Sequence, residues 1–180
     1  MNQSGVAARI ERALKRGTGL RLSAADVAAM WGKVPEGKVL VLRTCNADMT
    51  SRGGFVWPES GPVEAPDWRD DDRCGGGLHG ALWGEGDGRL FSWAPDAVWL
   101  VVEVSAADVR DLGGKVKFPR GAVVHCGDRE SATGYISERS PGRAIIGGTS
   151  TSGDYGTSTS GHRGTSTSGD YGTSTSGHRG

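Results

Sequence analysis

From Gly148 onward the chain reads GTSTSGDY, GTSTSGHR, GTSTSGDY, GTSTSGHR and Gly180, an eight-residue unit whose alternation gives a true period of sixteen. A short fixed period restricts such a segment to a solenoid, an array or a low-complexity tail. It contains no Leu, Ile, Val, Phe or Trp, so no greasy interior can hold it together. Each TSTS run suits a four-residue strand, and each SGDYG or SGHRG suits a turn with Gly where positive φ is needed. Two strands and two turns make one coil, and coils stacked about 4.8 Å apart would pair each backbone with the next. Ser and Thr hydroxyls are expected to line a narrow interior, with Tyr155 over Tyr171. Stacking in register also sets Asp154 over Asp170 and Arg163 over Arg179. Ordering a residue costs about 1–2 kcal/mol in backbone entropy, and a buried methylene returns only about 0.8. Two states stay open: a flexible tail, or a short β-solenoid that self-associates through residues 148–180.

The repeat dilutes the whole composition. Apolar residues make up 36% of the 180 and Gly accounts for 31, yet residues 38–138 hold five of the six tryptophans and all three phenylalanines. Basic and acidic residues balance at 21 each, so no net field draws nucleic acid or membrane, and neither partner is expected. No run reaches the roughly 18 apolar residues of a membrane span, and the first residues lack the apolar core of a secretory signal. Three cysteines cannot all pair within one chain, which favours a cytoplasmic location.

Residues 1–37 read as a helical hairpin. Val6, Ile10 and Leu14 recur at helical spacing, Gly17 and Gly19 stop that helix, and Ser23 with Asp26 opens a second one through Trp31. Residues 38–138 read as an α+β domain with a small, mostly antiparallel sheet and short helices. Strands are expected over Val39–Thr44, Gly80–Gly84, Arg89–Trp93, Val98–Val104, Lys115–Phe118 and Ala122–Cys126. The run VWLVVEV from Val98 has the unbroken apolarity of a strand covered on both faces. Short helices are expected from Ser105 to about Leu112 and from about Asp128 to Ile136. Gly84 to Gly88 reads as a hairpin turn between Trp83 and Leu90, and Pro58 to Gly77 as a long acidic loop carrying Asp70, Asp71 and Asp72. Residues 139–147 form a junction, and 148–180 the repeats.

Three arrangements could carry chemistry. Cys45, Cys74, His79 and Cys126 are soft ligands for zinc, although no CxxC pair occurs. His125 and Cys126 would face opposite sides of a strand, and Cys45 and Cys126 serve equally as small buried hydrophobes. Cys74 with His79 could instead form a thiolate–imidazole pair. Glu103, inside an apolar strand, could be a functional carboxylate. Together with Arg43 and His79 it loosely resembles the layout of ADP-ribosyltransferases, which would imply an NAD site. The glycines after Cys74 fit neither a P-loop nor a dinucleotide fingerprint.

The sixteen-residue period with its TST runs and YG step resembles the central repeats of bacterial ice-nucleation proteins. That resemblance implies β-solenoid coils presenting rows of Thr hydroxyls to water, here Thr149, Thr151, Thr157, Thr159, Thr165, Thr167, Thr173 and Thr175. The strings LRTCNADMTSRGGFVWP, CGGGLHGALWGEGDG and GGKVKFPRGAVVHCGD resemble an uncharacterised bacterial and phage domain followed by Gly-rich octapeptide repeats. It implies an organisation and no activity. The expected protein is therefore a non-enzymatic interaction or structural protein whose domain displays a self-associating repeat. An ADP-ribosyltransferase-like or zinc enzyme and a water-ordering repeat protein are the alternatives.

Overall fold

The computed structural model describes residues 34–152 and 157–178. The two helices expected before Gly32 lie outside the described residues, as do Asp154, Tyr155 and Arg179.

The first described strands are β1 (Lys38–Cys45), β2 (Gly61–Glu64), β3 (Leu78–Leu82) and β4 (Val98–Ser105). They are followed by β5 (Arg110–Asp111), β6 (Val116–Phe118) and β7 (Arg120–Gly127). These seven form one open antiparallel sheet in the order β2-β7-β4-β1-β3-β6-β5. The VWLVVEV run occupies β4, between β1 and β7, with Leu100, Val101, Val102 and Val104 shut off from solvent. Its continuous apolarity follows from that place, because neither face meets water. A bulge between Val101 and Val102 shifts the register against β7.

The two faces bury different partners. Val41, Cys45, Leu100, Val102, Val104 and Val123 pack with Trp57 and Phe118 on one face. On the other, Leu40, Leu42, Trp99 and Val101 lie beneath the helix α1 (Arg129–Arg139) and the buried Ile145 and Ile146. Asp128 caps α1 by accepting a hydrogen bond from the Ser131 N–H at 2.8 Å, as expected of a helix start.

Several local expectations are corrected. Ser105 starts a 3-10 turn at Ala106–Asp108 followed by β5, and its hydroxyl makes no capping bond. Arg89–Trp93 is no strand: a 3-10 turn at Gly88–Leu90 forms instead, because the Asp87 carboxylate accepts from the Arg89 N–H at 3.0 Å. Gly84–Gly88 closes no hairpin, since β3 pairs with β1 and β6. The acidic loop contains β2, which adds to the sheet edge along β7. Further along the loop, Asp71 forms an ion pair with the fully buried ammonium of Lys117.

The repeat is coiled. Four strands, β8 (Thr149–Ser152), β9 (Thr157–Ser160), β10 (Thr165–Ser168) and β11 (Thr173–Ser176), pair in parallel sixteen residues apart, Thr165 beside Thr149 and Thr173 beside Thr157. Two stacked coils result, with β8–β10 and β9–β11 as their two sheets.

Candidate functional site

Alternation within each TSTS run sorts the hydroxyls by face. Ser158 and Ser160 are buried, whereas Thr149, Thr151, Thr165, Thr167, Thr173 and Thr175 are exposed and Thr159 is half-exposed. The Ser158 hydroxyl bonds to the Ser166 hydroxyl and donates to the Ser150 carbonyl at 3.2 Å. The expected mixed interior is therefore corrected. Serine fills the narrow space because it lacks the methyl that threonine would have to fit there. Threonine faces water as two pairs of columns, with roughly 4.8 Å between coils and about 6.6–6.8 Å along each strand.

Entropy alone would leave so short an array unfolded, but its first coil is docked on the domain. Ile146 N–H donates to the Gly84 carbonyl at 2.8 Å, Gly147 N–H to His162 at 2.8 Å and Gly161 N–H to Ile145 at 3.0 Å. Glu85 holds the approach, accepting from the Arg143 guanidinium at 2.9 Å and from the Ala144 N–H at 3.2 Å. The SGHRG turn of the first coil packs on a tryptophan. His162 lies 5.8 Å from the Trp93 ring, the Arg163 guanidinium stands 4.7 Å over that ring, and His178 of the second coil stacks on His162 at 5.6 Å. Trp93 is fixed by its indole N–H, which donates to the Gly88 carbonyl at 2.9 Å. The partners of the open first coil are thus supplied by the domain, the role of a terminal cap in a solenoid. Sequence reasoning missed this contact. Its one signal was the recurrence of His and Arg in alternate turns, which fixes which turns share a side.

A second concavity, of about 700 Å³, opens beside β3. Arg43, Cys74, His79 and Lys115 line it. The Lys115 ammonium lies 2.9 Å from the Cys74 sulfur, and this hydrogen bond holds the thiol below its ordinary pKa. The His79 ring accepts from the Gly75 N–H at 3.4 Å. Burial, and then the charges of Lys115 and Arg43, push its pKa down, so the imidazole is neutral near pH 7. Cys74 and His79 therefore share one wall. Sequence reasoning named both but missed Lys115, which is remote in sequence.

Arg43 reaches the same concavity, donating to the His79 carbonyl at 3.2 Å. Glu103 does not. It pairs with Leu40 while Arg43 pairs with Leu100, which puts the two side chains on opposite faces of the sheet. The transferase-like trio is therefore not gathered into one cleft. Cys45 and Cys126 share the first face, Cys126 opposite Leu100 and Cys45 opposite Val98. Burial raises the pKa of both thiols, which keeps them protonated. They stand apart from Cys74 and His79, and among the described residues no three His, Cys, Asp or Glu side chains are grouped to hold a metal ion. His125 lies on the other face, with its ring against Tyr135 of α1. No helix among the described residues is long and apolar enough to cross a membrane.

Comparison with known proteins bears on both parts of the chain. A stretch of 117 residues is 48% identical to an ice nucleation protein of Pseudomonas syringae pv. syringae, covering 64% of this chain and 10% of that protein. Another of 103 residues is 50% identical to one from Pseudomonas fluorescens, covering 56% and 8%. A third of 106 residues is 41% identical to one from Xanthomonas campestris pv. translucens, covering 58% and 7%. The chain spans about a tenth of the length of these relatives. No solved structure matches. The expected cytoplasmic location is overturned by this kinship, because a place inside the cell conflicts with that of the ice nucleation proteins. Unpaired cysteines do not fix a compartment. Residues 39–138 match the family model described as "Domain of unknown function (DUF7666)", and the chain belongs to that family, carrying its domain together with an ice-nucleation-like repeat tail.

Proposed function

We propose that this chain is a non-enzymatic, water-ordering repeat protein in which the domain of residues 38–138, through the junction 139–147, caps the coils of residues 148–180. The carrying observation is the sorting of hydroxyls, with Ser158 and Ser160 of the first coil buried and threonine in outward columns repeated from coil to coil. Regularly spaced Thr hydroxyls and methyls offer water a fixed lattice of bonding and apolar points. The names of the relatives, ice nucleation proteins, support the same reading.

Two coils make a ladder of only roughly 10 Å, too small to template a crystal nucleus alone. Growth comes from association. β10 and β11 are outer members of two-stranded sheets, and a further strand can add to such an edge. Sedimentation of the protein with and without residues 148–180 tests this step: larger species that need the tail support it, and identical monomers contradict it. Ice-growth assays on the associated fraction test the water-ordering step separately.

A further inference from the structure

The groove beside β3 has a chemistry that the threonine rows leave unused. Its volume of about 700 Å³ falls in the range of small-molecule sites. Phe55, Leu90 and Phe91 give it apolar wall, while Arg43, Arg52 and Lys115 give it positive charge. The acidic group on that wall, Asp67, is already engaged by the Gly77 N–H at 3.1 Å.

Arg43 carries most of the argument. Its guanidinium lies 4.0 Å from the Trp57 ring centroid. Nε and Nη2 donate to the Thr44 carbonyl at 3.3 and 3.2 Å, and Nη1 to the His79 carbonyl at 3.2 Å. These acceptors are neutral. A guanidinium has five N–H groups, so one remains on each terminal nitrogen. Desolvation lowers the Arg43 pKa to about 10, and the adjacent Cys45 thiol is kept protonated by burial. A desolvated cation ringed by carbonyls and an aromatic face, with no carboxylate upon it among the described residues, is stabilised when an anion arrives.

We infer that this groove binds a small molecule with an anionic head, a carboxylate or a phosphomonoester, on a flat apolar body. The head lies between Arg43 and Lys115, and the body lies against Phe55 and Phe91. Neither the coils nor the capping contact takes part, so this site stands or falls independently of the water-ordering reading.

The test is a titration of the ¹⁵N-labelled full chain with benzoate, phenyl phosphate and the uncharged benzyl alcohol, following the amides of Gly75, Gly76 and Gly77. Saturable shifts with benzoate or phenyl phosphate and none with benzyl alcohol are expected, the tighter anion naming the head. Lys115→Gln, at a half-buried position, should weaken that binding about tenfold, the effect of one charge-assisted hydrogen bond. Arg43→Lys should weaken it as well, with the amide signals of β2 and α1 unmoved as a check on folding. Absence of shifts with both anions overturns the proposal. So does equal binding of benzyl alcohol, or an unchanged affinity in Lys115→Gln.

Discussion

The backbone N–H of Gly161 donates to the carbonyl of Ile145 at 3.0 Å, joining the first coil of the repeat to a residue buried in the domain. Sequence separates the two by sixteen positions, one full period. Ile145 thus stands where a preceding coil would stand, and the domain acts as the coil before the first.

Gly161 has no room for a side chain. A Cβ there would lie 2.5 Å from the Ala144 carbonyl oxygen and 2.7 Å from the Ile146 nitrogen. Gly161→Ala should therefore lift the first coil from its cap and leave the antiparallel sheet intact. Gly88→Val should act in the same way from the other side, since a Cβ at Gly88 collides with the His162 imidazole. Limited proteolysis should release the tail in both variants and leave the domain whole.

Ile146 is fully buried and reaches the domain at the point where its N–H meets Gly84. Ile146→Ala should destabilise the domain by about 2–5 kcal/mol, as large-to-small core substitutions do. Urea unfolding followed by tryptophan fluorescence measures it. A loss under about 0.5 kcal/mol, the range of surface substitutions, would contradict the shared packing.

Thiol reactivity should rank Cys74 first and Cys45 last. Cys74 is exposed and its pKa is lowered, first by the Lys115 hydrogen bond, so more thiolate is present at a given pH. Cys45 is buried and its pKa raised. Lys115→Met should slow alkylation of Cys74 near pH 7 and leave the other two rates alone. Mass spectrometry of iodoacetamide-treated protein reads all three.

The Asp71–Lys117 pair sets an acid limit on the loop between β2 and β3. Hydrogen bonding from Lys117 lowers the Asp71 pKa below its ordinary 3.8. A depressed carboxylate contributes stability that is present above its unfolded pKa and is lost as pH falls through the folded one. Below that range the Lys117 ammonium stays buried without its counter-charge. Stability of the native chain should thus fall as pH drops below about 4, whereas Asp71→Asn should already be weak at pH 7 and lack that acid-dependent step. Parallel acid dependence in the two proteins would exclude the pair as the cause.

Much of the architecture was legible because strong local patterns settled it. VWLVVEV could only be an interior strand, and the sixteen-residue period named the coil geometry, although it left open whether the tail would order. Weak patterns misled. Ser105 with Asp108 mimics a capping box, yet the chain turns at once into β5 because Arg110 and Asp111 pair with β6. The four residues of β2 carry Gly and Pro and show no strand period. They are held by pairing with β7, a tertiary effect that no window of sequence contains. In the groove, Cys74 and His79 were visible as reactive types at short spacing. Lys115 comes to Cys74 only through the fold, and Glu103 is carried away by the strand's alternation. The cap was hidden for the same reason, since Trp93, Glu85 and Ile145 look unremarkable until the coil meets them.

Replacing the outward threonines Thr149, Thr151, Thr165 and Thr167 with lysine should abolish water ordering by one sheet of the coil. The other sheet, with Thr157, Thr159, Thr173 and Thr175, should retain a residual effect. Ice-growth assays on the associated protein read the difference. Equal activity after the change would separate the threonine columns from any action on ice.

Amide hydrogen exchange over residues 157–168, in the full chain and in Gly161→Ala, tests the capping account most directly. Slow exchange in the native chain, with tens-fold acceleration in Gly161→Ala and unchanged protection of β1 and β4, is the predicted result. Rapid exchange of that segment in the native chain, or equal protection in both proteins, would contradict it.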